Sequence, residues 1–516
     1  MWWWRIAGLL VLAVVLLGTT TAQRQNVFSG GDVTFVDADC YARMTRVARV
    51  LEHPFRSIRH HDFENAPAGI ATHTTAPLDW LIAVLAVALS PFSPQALDLA
   101  GAWISPLLGL ATLIVLWLWS TRERLPYRHA MLLLVAVSPI LVQAFKLGRP
   151  DHQSLLLFLL AATLVAEWTL WSRSSRAAAI SWGAAWSVAL WTSLYEPLVL
   201  FVLLLMLRLA FLRKRAVEKP WPLAWGVLVA GVGVALLFDG WRVSAQAPEV
   251  AEYFARWSLS IGELAHLSPF SAQFTGWLGW FAPLLPFLLV WQFWKSRDVR
   301  LAVLLALLLA TYALTCWQIR WGCYLVLVAA MALPFALAAI RWRAAAWTAF
   351  ALSLWPVAAQ WDSLLFPDEE QQEARAEWRE DYAELHTLSR WLKTQAPGTV
   401  LAPWWLSPPI AYWSGHPCVA GSSHESLPGI VDAARFYFAT DPGQAREIAH
   451  RRDVCYVVAY EPDRVLGTSS ALLDEPIPHG SLGEILYRVP SLAPSWLRLV
   501  NASAYFKLYE VRSDGL

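Results

Sequence analysis

Gly31-Asp32-Val33-Thr34-Phe35-Val36-Asp37-Ala38-Asp39-Cys40-Tyr41-Ala42-Arg43-Met44 follows the first hydrophobic segment of the chain. It sets the carboxylates of Asp37 and Asp39 two residues apart, then an aromatic, then arginines at Arg43, Arg46 and Arg49. A loop of this kind leaving a membrane lies at the lipid–water boundary, within reach of a lipid phosphate and its counter-ion. Its meaning depends on whether the segments around it cross a bilayer.

Of the 516 residues, 57% are hydrophobic and 15% are charged, whereas soluble proteins carry about 25% charge. That balance places the chain among polytopic membrane proteins. The 32 tryptophans suit anchoring at the bilayer interface. Five cysteines without CxxC spacing argue against zinc-ribbon or dithiol chemistry. The net charge of +1 identifies no partner, and no nucleic acid is expected. In Met1–Ala22, Trp2-Trp3-Trp4-Arg5 precedes an apolar run too long for a signal peptide. It reads as a retained first span with its N-terminus in the cytoplasm.

Further apolar runs lie near 97–119, 129–146, 154–171, 178–194, 197–213, 222–238, 275–294, 299–315, 321–339 and 344–358, giving about eleven spans. Alternate connections are short and basic: Arg122, Arg124 and Arg128; Arg173 and Arg176; Arg213, Lys214 and Arg215; Lys295, Arg297 and Arg300; Arg341 and Arg343. The positive-inside rule puts these in the cytoplasm. The opposite connections, 23–96, 147–153, 195–196, 239–274 and 316–320, then face outward with everything after about 359. Pro77–Leu89 is too short to span and reads as an interfacial helix. Arg56, Arg59, His60 and His61 make this first outer loop basic, which suits it to anionic headgroups or a phosphate.

From Leu364 the composition turns polar. A helix is expected from Asp368 to Leu392, ended by Pro397-Gly398, with a buried strand at Thr399–Ala402. Helices at Ile430–Phe438 and Pro442–His450 and strands at Val454–Val458 and Tyr505–Val511 complete a mixed α/β domain. The expected domains are therefore 1–358, a membrane domain with the large outer loop 23–96, and 359–516, an extracytoplasmic α/β domain.

Each outer loop carries something pointed. Beside Asp37 and Asp39 stand Leu147-Gly148-Arg149-Pro150-Asp151-His152-Gln153, Ser260-Ile261-Gly262-Glu263 and Cys316-Trp317-Gln318-Ile319-Arg320. Three carboxylates from separate loops on one face suit a hard divalent cation such as Mg²⁺ or Mn²⁺, which takes oxygen ligands and leaves positions for phosphate oxygens. Arg320 suits either a grip on a diphosphate or an anchor of a helix end in headgroups. Glu196 suits a helix end or a partner behind the site.

Asp39-Cys40-Tyr41-Ala42-Arg43-Met44-Thr45-Arg46 resembles the first acidic motif of the catalytic subunit of oligosaccharyltransferase. Pro67-Ala68-Gly69 and an apolar juxtamembrane helix follow it, as in that family. The run from Ser138-Pro139 to Asp151-His152-Gln153 is similar to the second acidic motif. Ser260-Ile261-Gly262-Glu263 resembles the short Ser/Thr-x-x-Glu motif, Gln318-Ile319-Arg320-Trp321 the Arg-aromatic pair, and Thr399–Trp405 the opening of the Trp-Trp-Asp motif. The five stand in family order.

The resemblance implies a GT-C-type membrane glycosyltransferase of 11–13 spans with a C-terminal α/β domain, in the cytoplasmic membrane of a prokaryote. It would move a sugar or oligosaccharide from a polyprenyl-diphosphate donor to a protein or peptide acceptor outside that membrane, with inversion. Asp39, Asp151 and Glu263 would be the catalytic acidic centre holding Mn²⁺ or Mg²⁺, with His152 and Gln153 as further ligands. Arg320 would contact the donor diphosphate, and Trp404 and Trp405 the acceptor. The sequence departs from the family at Gln153, where Asp or His is usual, and at Leu406, in place of the motif Asp. Asp432-Ala433-Ala434-Arg435 is the candidate for a second acceptor-reading helix. Leu406 keeps a lipid, glycan or hydroxyl acceptor open as an alternative, and a non-enzymatic membrane protein that retains the fold is a further one. Oligomeric state is left open.

Overall fold

The computed structural model describes residues 2–54, 56–212, 220–240, 248–259 and 261–512. Arg213, Lys214 and Arg215 of one basic connection, and Ser260 of the loop motif, lie outside them. The chain divides into two compact units. The first comprises Met1–Arg24, Leu99–Gly240 and Gly262–Gln371, and the second Gln25–Asp98, Trp241–Ile261 and Gln372–Leu516.

Every apolar run of the first unit forms helix. Among the described residues five helices are long and apolar enough to cross a membrane: Ala96–Arg122, His152–Ser172, Trp221–Asp239, Val299–Trp317 and the run Ile319–Ala338, with a sixth if a bent pair counts as one. This is a multi-pass membrane protein. Of the runs outside these five, those of Trp2–Thr20, Arg176–Thr192 and Tyr195–Leu212 form unbroken helices, and the others break at proline or glycine. The run 129–146 is two helices, Arg128–Val137 and Pro139–Ala144. Ser138 stands between them in extended conformation, as the residue before proline prefers. The run 275–294 bends by 86° at Gly279, whose φ is +78°. A Cβ there would meet the Ser353 carbonyl oxygen at 2.4 Å, so glycine is required. The run 344–358 splits into Arg343–Ser353 and Trp355–Leu365, where Pro356 opens the second piece. Between 154 and 238 the described chain holds the four expected helices and no fifth.

Three of the basic connections, those of Arg122, Arg173 and Arg300, meet in this unit. Glu123 accepts from Arg173 at 3.2 Å and faces Arg300 at 3.6 Å. The loops expected to face outward meet elsewhere: Leu147 N–H donates to the Thr20 carbonyl at 3.1 Å, and Ile319 N–H to that of Ala265 at 3.0 Å.

The second unit joins the first outer loop to the C-terminal residues. Its sheet runs Thr399–Leu401, Val454–Ala459, Lys507–Val511, Leu497–Ala502 in spatial order, the first pair parallel and the others antiparallel. The outer loop packs on this core through main-chain bonds: Ala66 N–H to the Cys418 carbonyl and Cys418 N–H to that of Phe63, both at 3.0 Å.

Within it stands the helix Ala38–Glu52. Asp37 caps it, accepting from the Cys40 N–H at 3.0 Å, and Asp39 in the first turn suits the positive end of the helix. Tyr41 is fully buried, its hydroxyl accepting from the Phe35 N–H at 3.0 Å and its ring 4.8 Å from that of Trp413. Arg43 and Arg46, one turn apart, both bind the fully buried Asp79 of the helix Ala76–Leu89, each at 2.7 Å. Arg49 pairs with Asp62. The arginines are thus bound to acids of the same unit rather than presented to a lipid phosphate.

A buried relay continues from Arg46. Its guanidinium lies 2.8 Å from His61 Nε2, and His61 Nδ1 lies 2.5 Å from Glu64. Arginine only donates, so His61 Nε2 accepts and Nδ1–H donates to Glu64. Ser423 donates to the other Glu64 oxygen at 3.0 Å. His61 is therefore a structural link, held well below its ordinary pKa by burial and then by the Arg46 charge.

Candidate active site

In the first unit the loop before the helix His152–Ser172 is fixed through its main chain. Gly148, at φ +75°, donates to the Ala102 carbonyl at 2.9 Å, and Ser105 donates to the Arg149 carbonyl. Pro150 then leads into Asp151, the helix N-cap residue, whose own side chain makes no capping bond. That carboxylate is left to face other partners. Nδ1 of His152 lies 2.7 Å from one oxygen and Arg149 3.2 Å from the other.

Glu263 reaches the same guanidinium from a different loop. It sits in the 3-10 turn Gly262–Leu264, and its carboxylate lies 3.0 Å from the same Arg149 nitrogen that meets Asp151. The Gln153 amide donates to the second Glu263 oxygen at 3.2 Å. Arg149, Asp151, His152, Gln153 and Glu263 are therefore one cluster, and Arg149 balances both carboxylates. Arg149 stands within the motif two residues before Asp151, on the far side of a proline, and its role appears only in its contact with Glu263.

Besides the Ile319–Ala265 bond, two more tie the Glu263 turn to that of Arg320. His266 Nδ1 lies 2.7 Å from the Trp317 carbonyl oxygen, and Leu267 N–H donates to the Cys316 carbonyl at 3.0 Å. Arg320 forms an ion pair with Glu196 and lies 5.4 Å over the Tyr195 ring. Ser193 donates to the other Glu196 oxygen at 2.8 Å. The Arg320 Nε–H is buried with no acceptor among the described residues. Glu196 is therefore the ion-pair partner of Arg320 and also stands in the first turn of the helix Tyr195–Leu212.

In the second unit Asp39 is exposed in the first turn of its helix. Trp404 and Trp405 follow the strand Thr399–Leu401, their rings 5.7 Å apart and edge-on. With Ile430, Ala433, Tyr437 and Ser469 they line a pocket between the helices Leu427–Phe438 and Pro462–Leu473. Both indole N–H groups are buried without an acceptor among the described residues. The Arg464 guanidinium lies 5.0 Å over Trp405. Leu406 does not line this pocket: it is 2% exposed and belongs to the hydrophobic core of the unit. Asp432 is taken by Arg451 at 2.9 Å and Arg452 at 2.7 Å, so it ties its helix to the next.

No protein-family model and no curated protein sequence matches the chain. Solved structures do. The archaeal oligosaccharyltransferase AglB from Archaeoglobus fulgidus, in complex with an inhibitory peptide and a dolichol-phosphate, aligns with TM-score 0.68 at 15% identity, over 99% of this chain and 75% of that one. The chain has the GT-C fold. The Archaeoglobus fulgidus enzyme in complex with Zn and sulfate aligns at TM-score 0.69 and 14% identity, over 96% of this chain and 79% of the other. A second GT-C structure, ArnT from Cupriavidus metallidurans bound to undecaprenyl phosphate, aligns at 0.51 and 13% identity, over 98% and 97%. The fold expected from the motifs is the fold observed.

The cluster also holds donors of the kind a hard divalent cation takes. Asp151 and Glu263 present carboxylate oxygens and Gln153 an amide oxygen, as hard divalent ions require. One guanidinium nitrogen already draws the two carboxylates together.

Proposed function

We propose that this protein is a GT-C glycosyltransferase that moves a sugar or oligosaccharide from a polyprenyl-diphosphate donor to a protein acceptor, outside the cytoplasmic membrane of a prokaryote. The observation that carries this reading is the convergence of Asp151 and Glu263 on Arg149 within a GT-C fold. The complexes of the structural neighbours with dolichol-phosphate, a peptide and undecaprenyl phosphate support a lipid-linked donor and a peptide acceptor.

Asp151 and Glu263, with Gln153 and His152 beside them, would hold Mn²⁺ or Mg²⁺. That ion would offset the charge that develops on the departing diphosphate. Arg320, kept in place by Glu196 and Tyr195 and retaining an unused Nε–H donor, binds diphosphate oxygens. Trp404 and Trp405 wall the acceptor pocket with two unused indole donors.

Asp39 takes its role from its motif. In that role it accepts hydrogen bonds from the acceptor amide, whose nitrogen is a poor nucleophile while its lone pair is delocalised. The nitrogen–anomeric carbon bond forms as the bond from that carbon to the diphosphate oxygen breaks. The amide proton passes to a carboxylate and the diphosphate leaves on its lipid. Attack opposite the leaving group inverts the anomeric centre. The test supplies purified protein with a polyprenyl-diphosphate glycan, Mn²⁺ and an Asn-x-Thr peptide. Transfer is expected with the wild type, and full activity in an Asp39→Ala, Glu263→Ala double variant would overturn the proposal.

One observation favours a second reading, in which the acceptor is a lipid, a glycan or a hydroxyl side chain. Leu406 places a hydrocarbon in the core where the resembled motif has an acid. Transfer to such an acceptor, with none to the Asn-x-Thr peptide, would establish it.

A further inference from the structure

A second ligand cluster lies in the unit that carries Asp39, built from residues the reading above does not use. His73, His424 and Glu425 place one imidazole nitrogen each and a carboxylate oxygen within 4.8 Å of one another. His73 Nδ1 lies 2.8 and 3.0 Å from the two Glu425 oxygens, and His424 Nε2 lies 3.5 Å from the nearer. The two rings stand 4.6 Å apart, tilted by 32°. A tetrahedral zinc site with bonds of about 2.0–2.1 Å sets its ligand atoms about 3.3 Å apart, close to these separations.

The pieces are held from behind. The His73 N–H donates to Glu425 at 3.0 Å, which fixes main chain as well as side chain. Ser423, next to His424, donates to the buried Glu64. Phe254 lies edge-on to the His424 ring with centroids 6.1 Å apart. An ion pair needs one histidine on the carboxylate, and here there are two, arriving from segments 351 residues apart in the sequence (73 and 424). Half the His73 side chain is exposed, which leaves a path from solvent.

We propose that His73, His424 and Glu425 form a three-ligand site for a borderline divalent cation, zinc foremost, that clips the first outer loop to the turn His424–Ser426. Two imidazoles and one carboxylate select such an ion over Mg²⁺ or Ca²⁺, and three protein ligands leave a fourth position for water. The acidic cluster of Asp151 and Glu263 is oxygen-rich and shares no residue with it.

The test uses the full-length purified protein, stripped with a chelator and then given Zn²⁺ alone. One equivalent should survive desalting, and the melting temperature should rise with Zn²⁺ concentration. Co²⁺ in its place should give the visible absorption of a tetrahedral site. His73→Ala, a change at a half-exposed position, should lose the equivalent and the thermal shift, as should Glu425→Gln. Glu263→Gln should keep both. No bound equivalent in the wild type, or an equivalent that survives His73→Ala and disappears in Glu263→Gln, would overturn the proposal.

Discussion

The Arg320 guanidinium is paired with the Glu196 carboxylate, whose side chain is only 2% exposed. Among the described residues Glu196 has two polar partners, Arg320 and Ser193. Removing the arginine leaves a carboxylate buried without its counter-charge, which costs about 3–5 kcal/mol. Arg320→Ala is therefore expected to lower the melting temperature by several degrees. Combining it with Glu196→Gln, which removes the stranded charge, should restore most of the loss. A double-mutant cycle on thermal stability checks this, and additive losses would count against the pairing.

Arg149 holds the two carboxylates that the proposed cation would use. Guanidinium and metal then compete for the same oxygens. Arg149→Gln should reach half-maximal transferase activity at a lower Mn²⁺ concentration than the wild type. Asp151→Asn and Glu263→Gln should each lower kcat by about 100-fold or more, the size expected when an electrostatic partner of a reaction centre is lost. Metal titrations of the chelator-treated enzyme measure all three.

Leu406 is where restoring the resembled motif would go wrong. Its side chain is 2% exposed in the core of the second unit. An aspartate there would be a buried acid with no cationic partner, costing at least about 3 kcal/mol. Leu406→Asp is expected to lower the melting temperature and to confer no Asn-x-Thr glycosylation. Leu406→Met, which keeps volume and apolarity, should cost less than about 1.5 kcal/mol. A folded Leu406→Asp variant that gains sequon activity would show that the side chain can turn to the pocket.

Membrane character, the helical runs and much of the C-terminal domain were legible because each rests on local pattern. Apolar length, basic connections and Pro-Gly punctuation need no tertiary information. The strand Leu497–Ala502 escaped because its pairing shifts between Leu499 and Asn501, which breaks the alternation a reader relies on. In the candidate site the acids were visible through their motifs. Arg149, the ion they share, was not, since its role appears only when a loop 114 residues later folds back to it. The same holds for Arg43 and Arg46. Their helical spacing is plain in the sequence, but Asp79, which turns them inward, lies on another helix.

Glu64 makes stability depend on pH. Burial is the dominant influence and raises its carboxyl to about 7, against the hydrogen bond from Ser423. His61, Ser423, Glu425 and His73 are the groups that face it or act on it. Because the folded pKa lies above the unfolded value of 4.5, the folded state binds the extra proton between these values. The stabilisation is therefore complete below about pH 4.5 and is lost as pH rises through about 7, a loss on the order of 3 kcal/mol. Asp381, raised to about 6 mainly by burial, acts with the same sign over the lower part of that range. Glu64→Gln cannot titrate, so its melting temperature should fall less steeply than that of the wild type between pH 5 and about 7, the two curves becoming parallel above. Thermal melts across this range with chelator present, so that ions at His73 and Glu425 do not contribute, measure the slope. Equal slopes for the two proteins would show that Glu64 is already ionised in the folded state at pH 5.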